Sequence, residues 1–198
     1  MAPIRFLFVV LTLAFSSGQI RADDITDQIH SALEAYAQQD YQGAIGDLNY
    51  AVARIQETIH TKNAKLLPEA LEGWTASEVE NTGAAMAMLG GGNSLTRHYT
   101  RGPESVEINI TANSPWIAGM MQMMSNPMLM AGNPDLKPYR YKRVNGMKES
   151  TEGHVEVTLS LASQVMVKVT GDSLSDEAVI EQYLDAMDFE QIQTALLQ

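Results

Sequence analysis

The chain has 198 residues, with 13 Lys and Arg, 24 Asp and Glu, a formal charge of −11 at pH 7, and no cysteine. This length is enough for one domain with a small appendage, and the net negative charge opposes sequence-independent binding to the phosphate backbones of nucleic acids. The lack of cysteine excludes a disulfide framework, a thiol nucleophile and a zinc site with thiolate ligands.

Residues 1–22 have the order of a secretory signal peptide: one early positive charge at Arg5, an apolar run, and a short polar stretch. The run from Phe6 to Phe15 is much shorter than the roughly 20 residues that span a bilayer. We therefore expect cleavage after Ala22 and no retained membrane anchor. Loss of Arg5 and Arg21 changes the charge from −11 to −13. Export without cysteine indicates the bacterial periplasm.

Residues 23–62 are predicted to form a helical hairpin. Apolar residues recur at steps of three and four from Ile25 to Ile59, and Asp40 and Gly43 interrupt this helical pattern. The segment ALEAYAQQDYQGAIGDLNYAV resembles a single tetratricopeptide repeat, with matches at Tyr36, Tyr41, Ala44, Leu48 and Ala51. That family implies a hairpin that packs on its neighbours and often binds peptides. One repeat cannot form the usual concave groove, and any antiparallel helix pair gives a similar pattern.

Residues 63–73, which include Pro68 and Gly73, are predicted to link the hairpin to a second domain at residues 74–198. In this domain apolar and polar residues alternate in the segments around Val106, Val155 and Val165. A period of two is typical of half-buried strands.

Two Gly-containing segments predict turns or loops between strands. Asn145-Gly146 is the preferred dipeptide of a two-residue hairpin turn. Gly90 to Gly92 predict a bulge or loop.

Helix signals lie on either side of the later strands. Ser114 and Pro115 occupy the N-cap and first helical positions of one predicted helix. Ser173 with Asp176, and Asp188 with Gln191, have a spacing that resembles helix capping and predict two short C-terminal helices. We therefore expect an α+β fold, in which a helical hairpin precedes an antiparallel sheet of five or six strands that helices cover on one face.

Six methionines cluster in the first of these helices and just after it: Met120, Met121, Met123, Met124, Met128 and Met130. Most of them share one side of a helical wheel, which is typical of a helix lying on a sheet. The cluster also fits an adaptable surface for a partner or an apolar ligand. Thioethers are soft ligands for Cu(I), so copper is the alternative cofactor of a protein for which we otherwise expect none. The binding candidates among them are Met120, Met121, Met124 and Met128.

Basic residues cluster in two predicted strand segments, despite the acidic composition. Arg97 lies close to Tyr99 in one segment, and Arg140 and Lys142 lie in the other. If these strands are neighbours, they form a positive stripe that suits an acidic ligand or partner. Solvated edge strands also carry such charges, as protection against aggregation.

No motif identifies an active site. The four histidines have no metal-binding spacing, and no nucleophile elbow or phosphate loop is present. An enzyme would need a site assembled from scattered residues such as Arg97, His98 and Glu107, and we predict no catalytic residue and no metal ligand.

Much of the mature chain resembles uncharacterised bacterial periplasmic proteins. The matching elements are Gly73-Trp74, Gly90 to Gly92, Arg97, Tyr99, Ser114-Pro115, Asn126-Pro127 and Asn145-Gly146. This resemblance implies localisation and fold type. The order of strands and helices is also distantly similar to PsbP and Mog1-like domains, which are mostly binding or assembly modules.

These observations favour an exported, soluble, non-catalytic binding or assembly protein of the periplasm. Its expected partner is another periplasmic protein or a small apolar or acidic ligand, and not a nucleic acid. The alternatives are copper handling by the Met-rich helix and an enzyme with an unrecognised site.

Overall fold

The computed structural model describes residues 20–82, 92–125 and 132–197. The helices are α1 (Ile20–Ala37), α2 (Tyr41–Ala64), α3 (Pro115–Ser125), α4 (Ala178–Asp185) and α5 (Phe189–Leu196). The strands are β1 (Thr75–Ala76), β2 (Glu80–Asn81), β3 (Asn93–Arg101), β4 (Glu104–Ala112), β5 (Leu136–Tyr141), β6 (Val144–Thr151), β7 (His154–Ala162) and β8 (Val165–Asp172). Contacts divide the chain into one unit that ends at Thr58 and another that begins at Ile59. None of the helices in the described part of the chain has the length and apolar character needed to cross a bilayer.

The first unit is the predicted hairpin of two helices. Its helix interface is lined by small side chains, since Ala32, Ala44 and Ala51 are all buried. Asp47 accepts hydrogen bonds from the Gln28 amide and the Ser31 hydroxyl at 2.6 and 2.7 Å, which ties α2 to α1. The Asp40 carboxylate accepts from the backbone N–H of Gly43 at 3.0 Å and so caps the start of α2.

The second unit is an antiparallel sheet with helices, as the sequence predicts. The strand order is β1-β3-β4-β8-β7-β6-β5, and β2 also pairs with β3. The eight strands exceed the expected five or six because β1 and β2 have two residues each, too few to show a periodic pattern.

The main apolar core lies on one face of this sheet, under α4 and α5. It combines strand residues such as Ile108 and Val167 with Tyr183 and Leu184 of α4 and Ile192 of α5. The segment before β1 contributes Leu66, Leu67 and Trp74.

The sequence predicts helices on only one face of the sheet, but in the structure the other face is covered as well. Met147 and Met166 point to it by strand alternation, and they are buried but lie outside the main core cluster. Ile117 of α3 is also buried outside that cluster. Helix α3 therefore packs on the face opposite α4 and α5, and the sheet has helices on both sides.

The predicted helix starts are confirmed in two of three cases. Helix α3 begins at Pro115, and the Asp188 carboxylate accepts from the backbone N–H of Gln191 at 2.9 Å at the start of α5. The Ser173 cap is wrong: Ser173 has a φ of 55°, and α4 begins at Ala178. The backbone turns at Ser173, five residues before the helix.

The predicted Asn145-Gly146 turn is also wrong, because both residues lie within β6. The chain reverses at Lys142 and Arg143, which have φ values of 44° and 72°. Positive φ at both central residues is the geometry of the turn that best matches strand twist. Gly146 serves packing instead: a Cβ there would lie 2.2 Å from the carbonyl oxygen of Thr158.

Glu104 ties the start of β4 to the segment that leads into α4. Its carboxylate accepts from Arg101 Nε at 2.6 Å, and from the backbone N–H and the hydroxyl of Ser175, both at 2.7 Å. The hydrogen bond from Arg101 and those from Ser175 lower the pKa of Glu104 to about 2.

We expect Glu104 to make stability sensitive to acid. A lowered pKa in the folded state stabilises the protein above the ordinary pKa near 4.5, and this contribution is lost as the pH falls from about 4.5 towards 2. Urea unfolding over this range should show a Glu104→Gln variant that is less stable than the wild type at neutral pH and approaches it in acid. A constant difference between the two proteins would contradict the assignment.

Candidate functional site

A cleft of about 550 Å³ opens between α3 and the β5–β6 hairpin. Met121 and Met124 line it from the helix, and Arg140 and Arg143 line it from the hairpin. We call this the Met–Arg cleft. The remaining lining residues are Pro138, Tyr139, Val144, Asn145, Gly146, Ser160 and Leu161.

The positions of these residues in a helix, a strand and a turn direct their side chains towards the cleft. Met121 and Met124 are three residues apart in α3 and so share one helix face. Pro138 and Arg140 alternate along β5, which directs both to the sheet face that α3 covers. Arg143 occupies the second central position of the β5–β6 turn. The cleft is thus built from a helix face, a strand face and a turn.

The cleft is cationic, although the protein is acidic. In residues 20–82, 92–125 and 132–197, no carboxylate lies within ion-pair distance of Arg140 or Arg143. Both arginines are exposed. A guanidinium presents a planar set of donors that matches carboxylate and phosphate groups. The unpaired arginines therefore favour an anionic group at the mouth of the cleft.

The two remaining methionine candidates are Met120 and Met128. Met120 is half-buried on α3 and is not among the lining residues. Met128 lies outside the described residues. Of the methionine candidates that the structure describes, Met121 and Met124 line the cleft and Met120 does not. The fully buried residue of α3 is Ile117.

Lys142 faces away from the cleft. Its Nζ lies 2.6 Å from an Asp185 carboxylate oxygen and 5.4 Å from the centre of the Tyr141 ring. The Tyr141 hydroxyl donates to the same carboxylate at 2.5 Å. Lys142 and Tyr141 therefore fasten the β5–β6 turn to the end of α4.

The expected positive stripe does not form, because β3 and β5 lie near opposite edges of the sheet. Arg97 instead donates to the carbonyl oxygens of Pro68 and Ser77, each at 3.0 Å, and pairs with Glu69 at 3.1 Å. The Tyr99 hydroxyl donates to the same Pro68 oxygen at 2.7 Å. Burial raises the pKa of Tyr99, so it stays neutral. Arg97 and Tyr99 hold the segment before β1 on the sheet.

The residues suggested for an enzyme do not share one site. Arg97 and His98 are consecutive in β3, so their side chains lie on opposite faces of the sheet. His98 Nδ1 lies 3.5 Å from Glu107 and His154 Nδ1 lies 2.7 Å from Asp172, as two separate, half-exposed cross-strand pairs. The described ranges contain no group of three His, Asp or Glu residues that could hold a metal ion.

Sequence reasoning missed the cleft residues that depend on strand pairing. Asn145 was assigned to a turn, and Ser160 lies opposite it in β7. The alternation of apolar and polar residues in β7 is visible in the sequence. The pairing of β7 with β6, which brings Ser160 opposite Asn145, is not.

Comparison of the chain with protein-family models, curated proteins and solved structures finds no match.

Proposed function

We propose that this chain is an exported, non-catalytic binding protein that takes up, in the Met–Arg cleft, an anion with an apolar part. Export follows from the signal-peptide pattern of residues 1–22. One observation carries the binding proposal: two arginines without a described carboxylate partner stand beside two methionines in one cleft.

The two sides of the cleft suit the two parts of such a ligand. Methionine side chains are flexible and polarisable and adapt to apolar groups of varied shape. The guanidinium groups of Arg140 and Arg143 would bind a carboxylate or phosphate oxygen. A volume of about 550 Å³ falls in the range of small-molecule sites.

Copper handling is the second candidate, because Met121 and Met124 present two thioethers in the same cleft. Soft sulfur ligands bind Cu(I). The two arginines oppose it, since a bound cation would lie next to their positive charges without a neutralising carboxylate. We therefore expect a Cu(I) titration of the wild type and of a Met121→Leu/Met124→Leu variant to give the same weak binding.

Decanoate, a carboxylate with an apolar tail, is a direct probe of the proposed function. We expect isothermal titration calorimetry to show binding that weakens at least about tenfold in an Arg140→Glu/Arg143→Glu variant, because each lost hydrogen bond to a charged group costs roughly 1.5 to 3 kcal/mol. Decyltrimethylammonium, which has a similar tail and the opposite charge, should bind the wild type more weakly than decanoate does.

The control is Lys137→Glu, which reverses a charge on the same strand at a residue that does not line the cleft. It should leave the affinity for decanoate nearly unchanged. Equal affinity in the Arg140→Glu/Arg143→Glu variant and the wild type would refute the proposed site.

A further inference from the structure

Helix α2 carries a stripe of large apolar side chains that stay exposed. It consists of Tyr41, Ile45, Leu48, Val52, Ile55 and Ile59, each between 41% and 54% exposed. Their spacing is four, three, four, three and four residues, which is the repeat by which helices pack along a common seam. Six half-exposed apolar residues at this spacing are unusual on a solvated helix.

Helix α1 extends the same apolar face. Ile29, Leu33 and Tyr36 are 43%, 66% and 63% exposed. The Tyr36 and Tyr41 rings meet edge to face across the turn, with centres 5.6 Å apart. The two exposed sets therefore form one surface, which we call the hairpin face.

Packing between α1 and α2 does not account for these residues. The helix interface is made by Ala32, Ala44 and Ala51, which are 2% to 4% exposed. The larger side chains lie beside this interface, so packing of α1 on α2 leaves them exposed.

The charge distribution favours a second copy of this chain as the occupant of the hairpin face. On a helical wheel Asp47, Arg54 and Glu57 of α2 lie about 80° or more from the stripe. The remaining charged residue, Lys62, lies in the last turn of α2, beyond the end of the stripe at Ile59. The stripe is bordered on one side by the uncharged amides Gln42, Asn49 and Gln56. Along the length of the stripe, from Tyr41 to Ile59, two hairpin faces can thus meet without opposing like charges.

The area is also sufficient. Side chains of these types and exposures present roughly 900 Å² on one protomer, compared with roughly 800 Å² that each partner buries in a standard stable interface. We propose that two copies of this chain associate through the hairpin face, and that α1 and α2 of each copy form a four-helix bundle about a two-fold axis.

Sedimentation equilibrium of the purified protein tests this association. We expect a mass near twice that of one chain at high protein concentration, and dissociation on dilution, since dimer formation follows mass action. A Leu48→Glu/Val52→Glu variant should be monomeric, because dimer formation would bury its unpaired charges.

Tyr50→Glu is the matched control. Tyr50 is 46% exposed, nearly the same as Leu48 at 48%, but it lies on the other side of α2. This variant should remain dimeric. Circular dichroism of both variants should show unchanged helix content, since neither alters the alanine interface.

Cysteine substitution gives an independent measurement in a chain that has no native cysteine. Under mild oxidation, Leu48→Cys should form disulfide-linked dimers and Tyr50→Cys should not. A wild-type protein that stays monomeric at every concentration would overturn the proposal, and so would a dimer that the Leu48→Glu/Val52→Glu variant retains. Decanoate binding in the Met–Arg cleft should be unaffected by this variant, so the two proposals fail independently.

Discussion

Replacing Gly146 by alanine should destabilise the protein by roughly 3 kcal/mol, as expected when an added atom cannot be accommodated in a packed interior. The new Cβ would lie 2.2 Å from the carbonyl oxygen of Thr158 and 2.7 Å from Cδ2 of Leu159. Gly146 pairs with Leu159 of β7 and with Tyr139 of β5. The Thr158 oxygen belongs to the backbone of β7. Relieving the clash with the new Cβ therefore requires β6 and β7 to separate. Urea unfolding measures the loss.

Gly119→Ala is the control for this substitution. Gly119 lies in α3, and a Cβ there would meet nothing within 4 Å. Alanine is favoured over glycine in a helix by roughly 0.5 to 1 kcal/mol, so this variant should be slightly more stable than the wild type. Equal stability of the Gly146→Ala and Gly119→Ala variants would show that Gly146 is not a site of close strand packing.

Leu184→Ala should have the second large effect, a loss of about 3 kcal/mol, in line with substitutions of buried leucine. Leu184 is fully buried in α4 and belongs to the main core cluster. The substitution removes apolar contacts and leaves a cavity between α4 and the sheet. Thermal and urea unfolding both report this loss.

Leu197→Ala makes the same chemical change at a residue that is 43% exposed. Its effect should stay below about 1 kcal/mol because no enclosed cavity forms. Similar losses at Leu184 and Leu197 would contradict the placement of α4 against the core face.

The periodic spacing of apolar residues predicted those helices and strands that are long enough to show a repeat. The alternation of Val106, Ile108 and Ile110 identified β4, and all three residues are buried on its core face. Steps of three and four identified α1 and α2. The strands β1 and β2 were missed because two residues carry no period.

Prediction from local sequence failed at residues whose structural role is set by tertiary packing. Asn145-Gly146 has the composition of a turn, but the close approach of β7 requires Gly146 within a strand. The chain reverses instead at Lys142 and Arg143, two residues that rarely adopt positive φ.

The candidate site was predicted only in part, because its residues come from separate segments. Met121, Met124 and Arg140 were all identified from sequence, and the structure brings them into one cleft. Arg97 and Tyr99 were grouped with them, but strand order places these two residues near the opposite edge of the sheet. A single sequence shows charge clusters along the chain and does not show which strands are neighbours.

Methyl NMR of methionine-labelled protein during a decanoate titration tests the Met–Arg cleft most directly. Leucine substitutions at positions 121 and 124 assign the two relevant signals. We predict that decanoate shifts the Met121 and Met124 signals in the wild type and not in the Arg140→Glu/Arg143→Glu variant, and that the signal of Met187, which packs in the main core, stays unchanged. Decanoate binding that leaves the Met121 and Met124 signals unmoved would contradict the account.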